Sequence, residues 1–442
     1  MQDEPELLAI LERSTRTGVH VMGLRFVTYA LGFAGTVLVA RALGPGGRGE
    51  YVLPLALLTI VFTLTNLGLE QAQVYLAGRG TAMRAMWANA TAVGVGVSVV
   101  VWAVAAIAMT MRPAIVNRPA SWIILTLAQL PFLLHILYWL NILQLAGRIR
   151  AGVVASALAA TLTTLAFWAL YAGHALTPFR ALAVIGGGNV ITWAVIVAIG
   201  VRAHVVAFRI DVTALRRGLH FGLRAQLGIV FTFLLLRVDQ LMVQHRMGFA
   251  ALGTYSLAVG LAELMWLVSE PFASSLLPHQ VEAEGDDDIR LGFATARVSL
   301  LLVAVVATVA WVAAPWAIHT VFGPAYAGAV WPFRWLLPGV VALTVQRPLA
   351  GVLLKRGRPA LVSLLGAVAL TLNVAWNLAL IPRYGLVAAS VGSSIAYAFL
   401  GIAYLVMMRR IGGNVRVRMM PGRAELTMLG RIARTPSGSG RP

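Results

Sequence analysis

Apolar positions in this chain gather into long runs, while polar and small residues are confined to the short gaps between them. A helix that crosses a bilayer needs about 20 mostly apolar residues. The first half offers six such runs, roughly Val19–Ala40, Tyr51–Leu76, Ala85–Met109, Ser121–Leu145, Ala151–Ala172 and Phe179–Val201. The second half offers six more, roughly Leu219–Gln244, Leu252–Leu277, Leu291–His319, Pro332–Leu354, Ala360–Ile381 and Leu386–Met408. The pattern predicts an all-α, polytopic membrane protein of about twelve transmembrane helices in two six-helix bundles. No gap is long enough for an extramembrane domain. The longest, Arg202–Gly218, falls at the midpoint and reads as the link between bundles. Leu215 and Leu219 alternate there with Arg216 and Arg217, as in a short interfacial helix. The predicted segments are therefore 1–18 (cytoplasmic N-terminus), 19–201 (first bundle), 202–218 (linker), 219–408 (second bundle) and 409–442 (basic tail).

The halves echo each other. Gly44-x4-Gly49-x-Tyr51 returns 204 positions later as Gly248-x4-Gly253-x-Tyr255. Leu143-x3-Gly147-Arg148 returns 210 positions later as Leu353-x3-Gly357-Arg358. Two different motifs with nearly one offset point to an internal duplication. In so apolar a chain, that is the build of a membrane transporter.

Composition changes the picture in two ways. Hydrophobic residues make up 59% of the chain and charged residues 12%, whereas soluble domains are about a quarter charged. Lipid is therefore the solvent. The net charge of +19 comes from basic residues spread over short loops and the tail, and all but Lys355 are Arg. That distribution is how a membrane protein sets its orientation, with nucleic acid excluded as the first partner. The N-terminal segment, the even-numbered loops and the tail hold most of the Arg, which places both termini in the cytoplasm. The basic tail from Arg409 fits against anionic lipid, and its end, Pro436–Gly440, reads as disordered. The stretch Leu7–Leu11 reads as a short amphipathic helix on the membrane. Acidic residues at Asp3, Glu4, Glu6 and Glu12 do not fit a cleavable signal. The absence of Cys excludes disulfides and thiol chemistry.

Ionisable groups inside spans are costly and usually face a cavity or each other. Arg25, Arg224, Arg297 and Arg347 all fall in the cytoplasmic halves of their helices and would make a basic chamber open to the cytoplasm. Guanidinium forks match phosphate oxygens bidentately, so these four are the candidate site for a lipid-linked diphosphate. The other reading pairs Arg25 with Glu70 and Arg347 with Glu270, and lets Arg224 and Arg297 reach the interface. Arg334, at an outer edge, reads as an anchor. Glu70, Arg237, Asp239, Glu263 and Glu270 are candidates for coupling or gating. Glu263, near the middle of the eighth span, either titrates or is held by a fixed partner. A proton or Na⁺ is the candidate coupling ion; no cofactor and no metal site are expected, since the His are scattered. Gly186–Gly188 with Asn189, and Pro131, Pro271 and Pro348, read as breaks that bend their spans.

Arg41-Ala-Leu-Gly44-Pro45-x3-Gly49-x-Tyr51 with Leu67-Gly68-Leu69 resembles the N-terminal signature of polysaccharide flippases, the O-antigen and exopolysaccharide branch of the multidrug/oligosaccharidyl-lipid/polysaccharide (MOP) exporter superfamily. Arg237-Val-Asp239-Gln240, Leu252-Gly253-Thr-Tyr255-Ser256-Leu-Ala258, Ala262-Glu263 and Phe322-Gly323-Pro324-x-Tyr326 extend the resemblance to residues 15–410. It implies two six-helix bundles forming a V around a central cavity, alternating access, and transfer of a polyprenyl-diphosphate-linked oligosaccharide to the outer leaflet of the cytoplasmic membrane. It matches Arg25 to a diphosphate-holding role, and Arg224, Arg297 and Arg347 less directly. A polysaccharide polymerase is the expected protein partner. Three rivals stay open. A multidrug exporter would want acids and aromatics in its first bundle. A glycan polymerase or ligase would need a long outer loop, and Asp286-Asp287-Asp288 reads better as a solvated turn than as a metal motif. A purely structural scaffold would leave the buried charges without a use.

Overall fold

The computed structural model describes residues 4–111, 120–269 and 287–412. They are helical throughout, with no strand among the described residues. In chain order the helices are α1 (Glu4–Thr65), α2 (Leu69–Gly78), α3 (Met83–Met111), α4 (Ala120–Leu127), α5 (Leu130–Leu145), α6 (Ile149–Ala172), α7 (Pro178–Arg202), α8 (Val212–Leu235), α9 (Val238–Glu263), α10 (Asp287–Phe322), α11 (Val330–Leu343), α12 (Gln346–Lys355) and α13 (Pro359–Gly412). 3₁₀ turns occupy Leu264–Val268 and Pro324–Ala329.

Among the described residues, nine helical segments are long and apolar enough to cross a membrane. Three are of double length: Gly23–Gly78, Val212–Val268 and Pro359–Ile411. Each contains a glycine outside the helical region, Gly44 (φ 61°), Gly248 (φ 84°) and Gly385 (φ 62°). At Gly44 and Gly248, ψ is −177° and −173°, a conformation essentially reserved for glycine. Dividing the three double segments at these corners turns nine into twelve, the number expected from the apolar runs.

Both echoes have the same local structure in each half. Leu143 O accepts from Arg148 N (2.8 Å) and Gln144 O from Gly147 N (2.9 Å). Leu353 O accepts from Arg358 N (2.9 Å) and Leu354 O from Gly357 N (3.0 Å). These are Schellman closures with glycine in the left-handed region. At the other echo, a Cβ on Gly49 would overlap the Phe249 carbonyl, and a Cβ on Gly253 would overlap the Pro45 carbonyl. Pro45 and Phe249 are themselves 204 positions apart, so the two corners cross reciprocally about a local two-fold.

Several expected breaks are corrected. α7 runs unbroken through Gly186–Gly188. Gly186 receives the Gln129 side chain and Gly188 receives Thr163, so these glycines serve close packing. The chain does turn at Ala128–Gln129, before Pro131, and at Thr344–Val345, before Pro348. The interfacial helix expected around Leu215 is instead the start of α8. Asp211 caps it by accepting from Ala214 N at 2.9 Å. Asn89 holds Asp211 in turn, donating to its carbonyl (3.0 Å) and accepting from its N–H (2.9 Å). Leu7–Leu11 fall within α1. Pro271, Glu270, Asp286 and the tail beyond residue 412 lie outside the described residues.

The chain forms two compact units, Met1–Ser256 with His319–Ala327, and Leu257–Ile318 with Gly328–Pro442. In the first, one core gathers Trp87, Leu130, Leu134, Tyr138 and Trp139, with Trp87 and Trp139 stacked at 4.4 Å. A second core holds Val39, Tyr51, Phe167 and Leu182. In the second unit, α11 packs on α13, where Gly339 meets Ser394 and Gly401 meets the Ala342 carbonyl. Small residues allow this approach in lipid, where no hydrophobic force drives helices together. Val305, Val309, Val312 and Trp316 form an exposed apolar stripe on α10, the kind of face that only lipid would cover in a membrane protein. Arg334 Nε donates to Trp311 O at 2.9 Å, and its guanidinium lies over Trp331 at 5.3 Å.

The second unit also corrects the acidic turn. Asp288 is 2% exposed. Its carboxylate accepts from Arg356 Nε (2.9 Å) and the second guanidinium nitrogen (2.6 Å), and caps the Ile289 N–H at 2.6 Å. A bidentate partner far along the chain buries what its acidic neighbours made look solvated.

Candidate functional site

Within the first unit, α1, α6, α7 and the corner after Gly44 enclose a cavity of about 350 Å³. That lies toward the small end of ligand sites, roughly 300–1,000 Å³. α1 contributes Thr28, Gly32, Gly35, Thr36 and Val39, one stripe at helical spacing. Gly35 lets Phe167 of α6 approach to 3.2 Å of where a Cβ would stand, and Thr164 Oγ1 ties α6 to α1 by donating to Leu31 O at 3.0 Å. α7 contributes Gly188, Asn189 and Thr192. Arg48 and Tyr51 lie at the corner end.

The lining has a definite polarity. The hydroxyls of Thr28, Thr36 and Thr192 donate to the carbonyls of Leu24 (2.8 Å), Gly32 (3.0 Å) and Gly188 (2.9 Å). Asn189 Nδ2 donates to Gln129 Oε1 at 3.0 Å. The three hydroxyl protons are spent on the protein, which leaves hydroxyl lone pairs and the Asn189 carbonyl as acceptors, beside one further N–H of Asn189. No Asp or Glu among the described residues lines the cavity.

Among the described residues, Arg48 is the one charge in the lining. It is 6% exposed, flanked by Tyr51 and Tyr326, and its Nε has no hydrogen-bond partner among the described residues. The segment that carries Tyr326 is tied to the end of the first span. Arg41 donates to Val321 O (2.8 Å) and Thr320 O (2.6 Å), and Tyr326 Oη donates to Ala40 O (3.1 Å).

The residues singled out from sequence fall as follows. Arg25 is exposed on the α1 stripe, one turn before Thr28, and makes no ion pair with a described residue. Glu70, half-buried at the start of α2, accepts from Gln71 Nε2 at 2.6 Å, so the Arg25–Glu70 pair is not formed. Arg224 is exposed on α8. Arg237 lies over the Phe233 ring at 5.8 Å. Asp239 is fully buried and accepts from Tyr255 Oη at 2.6 Å and from Gln240 N at 2.8 Å. Glu263 and Arg297, both half-buried, and Arg347, exposed at the start of α12, belong to the second unit. Arg25 is thus the one candidate that shares a helix face with the cavity-lining residues of α1, one turn outside the lining itself. Arg48 was missed because its gap between spans read as a solvated loop. Aligning the two corners position by position would have exposed it, because Arg48 falls on Leu252.

The described residues thus form polytopic helices with duplicated corners and a cavity in the first unit. The family model described as "Polysaccharide biosynthesis protein" matches residues 38–331, and the chain belongs to that family. Its fold is that of MOP superfamily transporters. The lipid II flippase MurJ in an inward closed conformation superposes with a TM-score of 0.71 at 11% identity, covering 95% of this chain and 94% of that one. An inward-facing multidrug resistance MATE family transporter gives 0.69 at 14% identity, covering 87% and 94%. A MOP superfamily transporter from Pyrococcus furiosus, whose binding pocket is described as of reverse polarity, gives 0.67 at 12% identity, covering 91% and 96%. No curated protein matches the sequence.

Proposed function

We propose that this chain is an alternating-access flippase that carries a polyprenyl-diphosphate-linked oligosaccharide from the cytoplasmic to the outer leaflet of the cytoplasmic membrane. The observation that carries the reading is the charge of the cavity lining: one guanidinium and no carboxylate among the described residues. A site for cationic drugs needs the opposite sign, so this lining disfavours the multidrug alternative even though a multidrug transporter shares the fold. Membership of a polysaccharide biosynthesis family supports a glycan cargo. Arg25, on the cavity stripe, is the first diphosphate ligand, with Arg224, Arg297 and Arg347 as further donors. Both termini face the cytoplasm, and the basic tail lies on anionic lipid. A polysaccharide polymerase receives the product. Glu263 and Asp239 are the places where a proton or Na⁺ would couple to the cycle. No step of this reading needs bond-making chemistry, so the protein acts as a transporter.

Arg25→Ala tests it. A lost charge-assisted hydrogen bond is worth about 1.5–3 kcal/mol, or roughly 10- to 100-fold in transport. Polyprenyl-diphosphate glycan should accumulate on the inner leaflet by that factor. Normal export by a well-expressed Arg25→Ala protein removes Arg25 from the site.

A further inference from the structure

We propose that the Arg48 end of the first-unit cavity binds the carboxylate of an acidic sugar in the transported glycan, with the Thr and Asn acceptors of the same cavity taking that sugar's hydroxyls. The proposal rests on the flippase reading and adds a substrate class to it.

Burying a guanidinium without a counter-charge is expensive, and proteins ordinarily pair it or leave it out. Arg48 lines the cavity, is 6% exposed and has an orphaned Nε. The fold does not require a charge there. At the position 204 residues on, the second corner has Leu252, fully buried in the same local backbone. A guanidinium kept where the repeat accepts leucine is best explained by a ligand that completes it.

The chemistry narrows the ligand. One guanidinium fork matches one carboxylate in charge and geometry. A diphosphate carries two or more charges and would want several cationic donors, yet Arg48 is the one cation in the described lining. The Thr and Asn acceptors suit O–H donors on a sugar ring. Distance separates the two sites. From Arg25 to Val39, beside the corner, α1 rises about 21 Å at 1.5 Å per residue, well beyond the extent of a diphosphate. A diphosphate at Arg25 therefore leaves Arg48 to a different group on the same cargo.

The test uses full-length protein in proteoliposomes and two polyprenyl-diphosphate glycans, identical except that one carries glucuronic acid where the other carries glucose. Wild type should flip the acidic glycan faster, and Arg48→Leu should lower the acidic-to-neutral rate ratio at least tenfold. Leucine is the residue that the repeat itself uses at this place, so the variant should fold, as monodispersity would verify. Asn189→Ala is the second probe: it should slow both glycans and leave the ratio within about twofold. In a parallel thermal-shift arm, glucuronate should stabilise wild type more than glucose or chloride, and Arg48→Leu should lose that difference. A ratio unchanged in Arg48→Leu overturns the proposal while leaving the flippase reading intact. Equal stabilisation by chloride and glucuronate, lost together in Arg48→Leu, marks an inorganic anion site and also overturns it. Failure of wild type to flip either glycan sinks the flippase reading and the proposal with it.

Discussion

The two corners, Gly44–Tyr51 and Gly248–Tyr255, share a backbone and differ in chemistry. Both turn on a glycine at positive φ, and each lays a second glycine on the other's carbonyl. Thr28 and Val39 keep their identities at Thr232 and Val243. Two of the many differences bear directly on the cavity. Gly35 stands where the second half has Asp239, and Arg48 where it has Leu252. The second half fills its site from within, since Tyr255 donates to the buried Asp239 at 2.6 Å. In the first half, a glycine replaces that carboxylate, and a cavity lies there, lined by a cation whose Nε has no partner among the described residues. The lesson is that duplication preserved the crossing and released the side chains, so structural and functional demands can be read apart by comparing like positions.

The crossing should produce the largest effects. Gly49→Ala and Gly253→Ala each place a methyl on a backbone carbonyl that has no room to move. Overpacking typically costs about 1–3 kcal/mol and more when backbone must shift, so each variant should lose at least about 3 kcal/mol or fail to reach the membrane folded. Fluorescence-detected size exclusion with a thermal ramp checks this. Tolerance of one substitution and not the other would break the two-fold comparison. Next comes a buried charge that is paired. Arg356→Ala strands the carboxylate of Asp288, and breaking a buried pair costs about 3–5 kcal/mol. Arg356 is partly exposed, with 24% of its side chain accessible, so the low end is expected. Asp288→Asn with Arg356→Gln should recover part of that loss.

Much of the scaffold was legible beforehand. Twelve apolar runs anticipated the twelve segments because bilayer thickness sets span length directly. The offset echoes anticipated identical corners and helix ends because glycine at positive φ leaves a sequence trace. The site was less legible. Arg48 read as a loop residue because Tyr326, one of the two rings beside it, lies far away in the chain. Asp288 read as solvated because its partner, Arg356, lies 68 positions on. Gly186–Gly188 read as a break because glycine weakens helices in water; in lipid the backbone has no competing water to bond, and the helix persists. Long-range partners and solvent, not local pattern, decided all three.

Smaller effects sharpen the chemical contrast between the corners. Tyr255→Phe removes a donor from a buried carboxylate and should cost about 1.5 kcal/mol, near the upper range for such bonds within membranes. Tyr51→Phe, whose counterpart carboxylate is absent, should change thermal stability by less than about 0.5 kcal/mol. Comparable losses in both would mean that Tyr51 has a structural duty like that of Tyr255.

The smallest expected change in stability is the most telling. Replacing a buried ion by a well-packed apolar residue is often neutral or stabilising by about 1–4 kcal/mol. Arg48→Leu should therefore melt no lower than wild type in ligand-free detergent, and slightly higher if the Leu252 arrangement is reproduced. Arg356→Ala in the same measurement supplies the scale of a charge that the fold does use. If Arg48→Leu falls as far as Arg356→Ala, the guanidinium is a structural member held by its tyrosines, and the cavity loses its claim to an anionic guest. If Arg48→Leu holds its melting temperature while transport of acidic glycan collapses, the cation is there for the cargo. The first corner is then a copy of the second in which a stabilising side chain was given up for a binding one.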